Sequence, residues 1–366
     1  MNGIKEIVGY LPAGWKEQAR ETKALIRGRT IKTAEELLGL NLLHLTEGGS
    51  FGVTAALLNL ATETQISKQS VYERIQNSWP WLKWMTEEMC RENSFTMEKP
   101  DWLDREVVTN DASEMCVKGS KQGDYRLHCS FDIFGFSYRC IEITDIAEGE
   151  KLSRYMVRPG DIVLADRVYG TIKGMEHVLS NQGDFILRYR TKAFNVYDED
   201  GKKLDLQKCF EGLEPLESLS VYGFYYSEGK KRPVRIVAMR KDDDAALKAQ
   251  RKMTKKLNKQ RGKRPSAEAL EMNRYIVLAT SLDYSEERIL ELYRARWQIE
   301  QVFLRLKGLF AFGDVPSKNE DSVKAWFYGK LFIAILCETI LKRESFSPDD
   351  ETLMRSLGII KPLESS

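Results

Sequence analysis

Long apolar runs are missing from this 366-residue chain. Near the C-terminus the longest strongly apolar stretch, Leu331 to Cys337, is bounded by Lys330 and Glu338. It falls far short of the roughly 18 residues that cross a bilayer and reads as a buried helix, so no membrane association is expected. The opening residues, Met-Asn-Gly-Ile-Lys-Glu-Ile-Val-Gly-Tyr, lack an apolar segment followed by a small-residue cleavage site. No secretion signal is expected, and a cytoplasmic protein is. Histidine is scarce, and His44, His128 and His177 have no ligand spacing; the six cysteines contain no Cys-x-x-Cys pair. His128 and Cys129 are neighbours, but adjacent strand residues point to opposite faces and do not share one ion. Reduced, structural thiols are expected. Charge of one sign is lacking too: 56 basic residues face 54 acidic ones, for a net +2.

The charge that is present is unevenly placed. Lys248, Arg251, Lys252, Lys255, Lys256, Lys259, Arg261, Lys263 and Arg264 form a run free of Asp and Glu. Such a run is either a polyphosphate-sized patch or a solvated helix face or linker. With 42% hydrophobic and 30% charged residues, the chain has the composition of a globular protein large enough for two or three cores.

From about Thr22 to Met89 the pattern is helical. Thr33-Ala-Glu-Glu36 fits a capping box, Val53 to Leu60 is a short apolar helix, and Ser67 is a plausible N-cap for the helix that follows. Two short helices with a tight link fit a structural bundle, and are also compatible with a helix-turn-helix that presents Lys68, Gln69, Ser70, Tyr72 and Arg74 to a major groove. After Pro100 strands take over: Arg105 to Asn110, Tyr125 to Phe134, Ser137 to Thr144 and Asp161 to Asp166. A helix over Ile172 to Leu179 and a strand over Asp184 to Arg190 complete a mixed α/β pattern. Residues 191–274 interrupt it with turn-rich, strand-like pieces, Val221 to Tyr226 and Val234 to Met239, and with the basic run. Tyr275 to Thr280 resumes a strand, and Ser285 caps a long helix.

That helix carries Tyr293, Arg296, Glu300 and Lys307. Steps of three, four and seven residues bring the four within an arc of roughly 60°. Leu292, Ile299, Phe303, Leu306 and Phe310 form the adjoining apolar face. A Trp at position 297 is expected to pack into the protein rather than stack on a ligand. Asp111 and Asp166 each end an apolar strand, and Glu300 supplies a third acid. Three hard-oxygen donors suit two Mg²⁺ ions, with Mn²⁺ able to substitute. Two such ions about 3.5–4 Å apart activate an attacking hydroxyl and stabilise a leaving oxygen in phosphoryl transfer.

The spacing Tyr293-x2-Arg296-x3-Glu300-x6-Lys307 resembles the YREK signature of bacterial insertion-sequence transposases of the DDE class. Asp166-Arg-Val-Tyr-Gly170 resembles that family's second-aspartate motif, and Thr109-Asn-Asp-Ala-Ser113 the region of its first aspartate. The resemblance implies a ribonuclease-H-like mixed sheet in which the first and fourth strands are neighbours. It also implies a mostly β insertion, an all-α domain before the core and C-terminal helices after it. The expected division is a helical DNA-end-binding domain over 1–100, a catalytic core over 101–190 and 275–315, the insertion over 191–274, and a C-terminal helical region over 316–366 that serves dimerisation. Asp111, Asp166 and Glu300 would be catalytic and hold the metals; Arg296 and Lys307 would hold phosphates, and Tyr293 would donate a hydrogen bond to one. Arg167 and Tyr169 would orient Asp166 or touch DNA, and Lys68, Arg74, Lys255 and Lys256 would be further DNA contacts. The implied activity is excision of a mobile element by strand hydrolysis, a hairpin intermediate, and joining to target DNA. The implied partners are double-stranded DNA bearing terminal inverted repeats, target DNA and a second copy of the chain, in a bacterial, nucleoid-associated setting. A DNA-binding protein without transposition activity and a two-metal nuclease without strand transfer are the alternatives.

Overall fold

A computed structural model of the chain describes all residues except 1, 27–29, 47–49, 63–64, 93–98, 118, 121–122, 136, 191–192, 263, 301–302, 304–318 and 346–366. Helices come first: α1 (Asn2–Ile7), α2 (Trp15–Glu21), α3 (Ala34–Thr46), α4 (Phe51–Ala61), α5 (Lys68–Asn77) and α6 (Trp79–Glu92). Their starts follow local chemistry. The Thr33 hydroxyl accepts from the Glu36 N–H at 3.2 Å while the Glu36 carboxylate accepts from the Thr33 N–H at 3.4 Å, a closed capping box. Ser67 caps α5 by accepting from the Ser70 N–H at 3.1 Å. The α4–α5 link is pinned by Asn59, whose amide both donates to and accepts from the Ile66 backbone.

The strands are β1 (Val107–Met115), β2 (Tyr125–Asp132), β3 (Ser137–Asp145), β4 (Ile162–Ala165), β5 (Asp184–Arg188), β6 (Ser218–Ser227), β7 (Lys230–Arg240) and β8 (Tyr275–Thr280). They form one mixed eight-stranded sheet in the order β3-β2-β1-β4-β5-β8-β7-β6. β1, β4 and β5 are parallel neighbours; β2 and β3 form antiparallel hairpins outside β1. Within 191–274, β6 and β7 pair onto β8 and widen the same sheet, and α8 (Leu206–Phe210), α9 (Asp243–Arg261) and α10 (Ala267–Met272) accompany them.

Alternation along the strands gives the sheet two buried faces. Val163, Ala165, Phe185, Leu187, Val277 and Ala279 face a core that includes Met175 and Val178 of α7 (Ile172–Ser180). Val107, Ile162, Leu164, Ile186, Val237 and Leu278 face the other way, against Ile289, Leu290 and Leu292 of α11 (Glu286–Ala295). A third core joins the N-terminal helices to the β2–β3 face and to α12 (Glu320–Ser345), which includes the stretch expected to be a buried helix; Leu331 to Leu336 are buried or nearly so, whereas Cys337 is exposed. No helix among the described residues is long and apolar enough to cross a membrane.

Candidate active site

Residues two apart on a strand share a face, so Val107 and Asp111 lie with Ile162, Leu164 and Asp166 beneath α11. Asn110 pairs with Ala165 in the parallel register. Asp111 and Asp166 stand one step further along neighbouring strands, where side chains of like register are held close. Asp166 follows directly on Ala165, the last residue of β4. Asp111 does not end its strand, because β1 continues to Met115 by pairing with β2 after β4 has stopped. The Asp111 side chain is mostly buried, and its carboxylate accepts from the Ala112 N–H at 2.8 Å. Burial pushes its pKa up to about 6, opposed by that hydrogen bond and by Arg296, and reinforced by the charges of Asp166 and Glu150.

The opposing wall is α11. Its start is fixed by Ser285, which accepts from the Arg288 N–H at 3.4 Å. Arg235 of β7 pins it further, bonding Ser220 at 2.8 Å and Glu286 at 3.1 Å. At its end the helix departs from the regular period. Arg296 donates its N–H to the Tyr293 carbonyl and the Ile299 N–H returns to the Arg296 carbonyl, both at 3.2 Å and both spanning three residues. This tightening ends α11 at Ala295, and helical structure resumes over 297–300. The Arg296 guanidinium lies 5.6 Å from the Tyr293 ring centroid. It contacts Glu300 at 2.7 Å and reaches Asp111 at 4.0 Å.

The guanidinium therefore links the first and third acids. Among the described residues no group of three His, Cys, Asp or Glu is close enough to hold a metal ion as placed. The donor chemistry nevertheless fits a hard divalent cation. Asp111 is a mostly buried carboxylate whose ionised form is disfavoured by burial and by neighbouring acids, with one cation 4.0 Å away. Added positive charge would relieve that conflict. Glu150, in the loop after β3, belongs to this acidic environment and is held by Arg126 at 3.6 Å. No motif marks it in the sequence.

The remaining expected residues fall in different places. Arg167 is exposed beside the acids. Tyr169 is buried on the opposite face, its hydroxyl 3.3 Å from that of Tyr155, which donates to the Asp111 carbonyl at 3.1 Å. It supports the β1 backbone and does not meet solvent. Trp297, expected to be packed, is 49% exposed: at 100° per residue it stands about 140–160° around the helix from the buried Leu292 and Ile299. Lys68 is exposed at the start of α5; Arg74 is half-buried, and desolvation lowers its pKa. Lys255 and Lys256 are exposed on α9 with Lys248, Arg251, Lys252 and Lys259. At 100° per residue these six share an arc of about 140° opposite the buried Ala246. Lys307, Leu306 and Phe310 lie outside the described residues.

A mixed sheet with aspartates at the end of the pairing between two neighbouring parallel strands, and N-terminal and C-terminal helices around it, is a ribonuclease-H-like architecture. Comparison with known proteins makes the assignment specific: the family described as the transposase DDE domain matches residues 105–337, and the chain belongs to it. The chain is 26% identical over 333 residues to InsL of insertion sequence element IS186A from Escherichia coli (strain K12), covering 88% of this chain and 89% of that protein. It is also 26% identical, over 334 residues and with the same coverage, to the transposase for insertion sequence element IS421 of Escherichia coli. The transposase for insertion sequence element IS231C of Bacillus thuringiensis subsp. berliner is 21% identical over 203 residues, 50% of this chain and 42% of that protein.

Proposed function

We propose that this enzyme moves an insertion sequence by cutting the DNA backbone at the element ends and joining the freed 3′-hydroxyls to target DNA. The observation that carries the proposal is the side-by-side placement of Asp111 and Asp166, with Arg296 of the facing helical segment reaching both Asp111 and Glu300. Asp111, Asp166 and Glu300 would hold two Mg²⁺ ions, replaceable by Mn²⁺. Such ions supply an activated hydroxyl and charge stabilisation for the leaving oxygen.

The chain's own residues bind and orient the DNA. Burial raises the Tyr293 pKa, so its phenol stays protonated and donates a hydrogen bond to a phosphate oxygen. Arg296 and Lys307 hold phosphates flanking the cut, and exposed Trp297 stacks on an unpaired base. Arg167 and the α9 stripe with Lys255 and Lys256 track the backbone, and Lys68 with Arg74 contributes from the N-terminal helices. In the hairpin route, water first cleaves one strand. The freed 3′-hydroxyl then attacks the opposite phosphodiester and releases the flanking DNA, and a second water reopens the hairpin.

Residues 1–100 would bind element ends, 101–190 and 275–315 would form the catalytic core around the 191–274 insertion, and 316–366 would serve a homodimer that pairs two ends. The working site is the bacterial nucleoid. Asp166→Asn and Glu300→Gln should keep the fold and the binding of terminal inverted repeats while abolishing cleavage in Mg²⁺. Cleavage by either variant at the parent's rate would overturn the metal assignment. Strand-transfer products separate this reading from a simple nuclease.

A further inference from the structure

The row of charged residues at the sheet's edge does not stop at the acids. β4 and β5 are parallel with Ala165 opposite Leu187, so Arg188 stands one step beyond, level with Asp166. β8 runs antiparallel to β5 and β7 antiparallel to β8, so β7 ends at the same edge. Val237 and Met239 lie on the α11 face, and Lys241 continues their alternation just past the strand. Read across the sheet, this edge passes from Asp111 and Asp166 to Arg188 and Lys241.

Arg167 joins the cations through a close approach. A Cβ on Gly170 would lie 2.8 Å from the Arg188 carbonyl oxygen, so only glycine lets the 167–170 turn rest on the end of β5. The cations are poorly compensated. Arg188 donates to the Tyr275 carbonyl at 3.3 Å, and Lys241 donates to the Asn273 carbonyl at 2.5 Å. The described ion pairs nearby are Arg235–Glu286, Arg240–Asp243, Arg274–Glu271 and Arg296 with Asp111 and Glu300. None of them takes in Arg167, Arg188 or Lys241. Burial and then the neighbouring guanidiniums push Lys241 down to about 8; burial and then Arg167 push Arg188 down to about 10. Arg188 and Lys241 are partly desolvated and repel each other and the exposed Arg167; Asp166 offsets part of the charge at Arg188, and an anion joining the cations would offset the excess that remains.

We propose that Arg188 and Lys241, with Arg167 at the rim, form a seat for a DNA backbone phosphate next to the reacting one. Naming DNA as the source of that phosphate rests on the transposase reading above. A forked guanidinium and a lysine ammonium together offer charge-assisted donors to two nonbridging oxygens. Because the seat adjoins Asp166 along the sheet edge, a phosphate held there fixes the position of the strand relative to the acids.

The test measures binding of the full chain to a short duplex of arbitrary sequence, in chelator, across a range of salt. Lys241→Gln and Arg188→Gln should each flatten the slope of log affinity against log salt by about 1, while Lys241→Arg keeps the parent slope. Parent affinity should fall as pH rises from 7 to 9, with Lys241→Arg flat. If Arg188→Gln fails to fold, Lys241→Gln decides. Parent slopes in folded variants would overturn the seat. Inorganic pyrophosphate raising the melting temperature of the parent but not of Lys241→Gln, with the duplex slope unchanged, would overturn the DNA source in favour of free phosphate. Glu300→Gln separates the two readings. If it still cleaves while Lys241→Gln loses slope, the seat stands and the catalytic assignment falls.

Discussion

Replacing Asp111 with Asn should stabilise the metal-free protein at neutral pH while destroying its activity. The carboxyl is held at about 6 against an ordinary 3.8, with burial as the leading cause. Keeping it charged at pH 7 therefore costs on the order of 3 kcal/mol. Its side chain is 22% exposed and Arg296 is 4.0 Å away, so water and reorientation reduce the realised gain to about 1–3 kcal/mol. Asparagine retains an oxygen to accept from the Ala112 N–H, now 2.8 Å from the carboxylate, and Arg296 keeps its contact with Glu300. The sign follows from proton counts. Between about pH 4 and 6 the folded state holds a proton that the unfolded state has lost, so parent stability falls as pH rises through that window. Above it the penalty is complete; below it the penalty vanishes. Denaturant titrations of parent and variant in chelator, at several pH values, would read the difference directly. Equal stability at pH 7.5, or a gap that persists undiminished at pH 3.5, would refute the electrostatic reasoning.

Gly170→Ala should lose about 1–3 kcal/mol and lower the melting temperature, because its Cβ would press on the Arg188 carbonyl at 2.8 Å; an unchanged melt would show that the turn does not rest on β5. Trp297→Ala should leave stability within about 0.5 kcal/mol, since the ring is 49% exposed, yet weaken binding of duplexes with frayed ends by roughly tenfold, read by fluorescence anisotropy. Burial pushes His44 and His128 down to about 4, so stability should decline as pH drops from 6.5 towards 4, where the unfolded chain gains protons first. A flat urea midpoint over that range in Asp111→Asn, whose own carboxylate no longer titrates, would contradict this.

The parts of the fold that were legible in the sequence are those set by near neighbours. β-branched and aromatic runs marked β2, β4 and β8, and the Thr33–Glu36 spacing gave a capping box that closes at 3.2 and 3.4 Å. What escaped the sequence depends on distant partners. The length of β1 past Asp111 is set by β2, which pairs Met115 with Tyr125 after β4 has ended. Periodicity assumes one uninterrupted helix and so could not register the three-residue turn at Arg296, although it does place Trp297 opposite Leu292 and Ile299, on the exposed side. Arg188 and Lys241 carry no motif and lie far apart in sequence. Only the order β5-β8-β7 brings them to one edge.

The turn at Arg296 also explains how one side chain serves both walls of the site. A regular helix would keep the Arg296–Glu300 pair on its own surface, where such pairs contribute about 0.3–0.5 kcal/mol. The break instead places the guanidinium where its Nη2 meets Glu300 at 2.7 Å and its Nη1 faces Asp111 at 4.0 Å, with Nε buried and without a partner. Arg296→Lys keeps the charge but has one ammonium for two directions. It should therefore retain the Glu300 contact and lose the reach to Asp111, which raises the Asp111 pKa further and shifts the rise of cleavage activity to higher pH. Arg296→Gln should shift it more. A pH profile that moves in neither variant would mean that Asp111 and Arg296 do not interact, and would remove the link between the helix break and the acids.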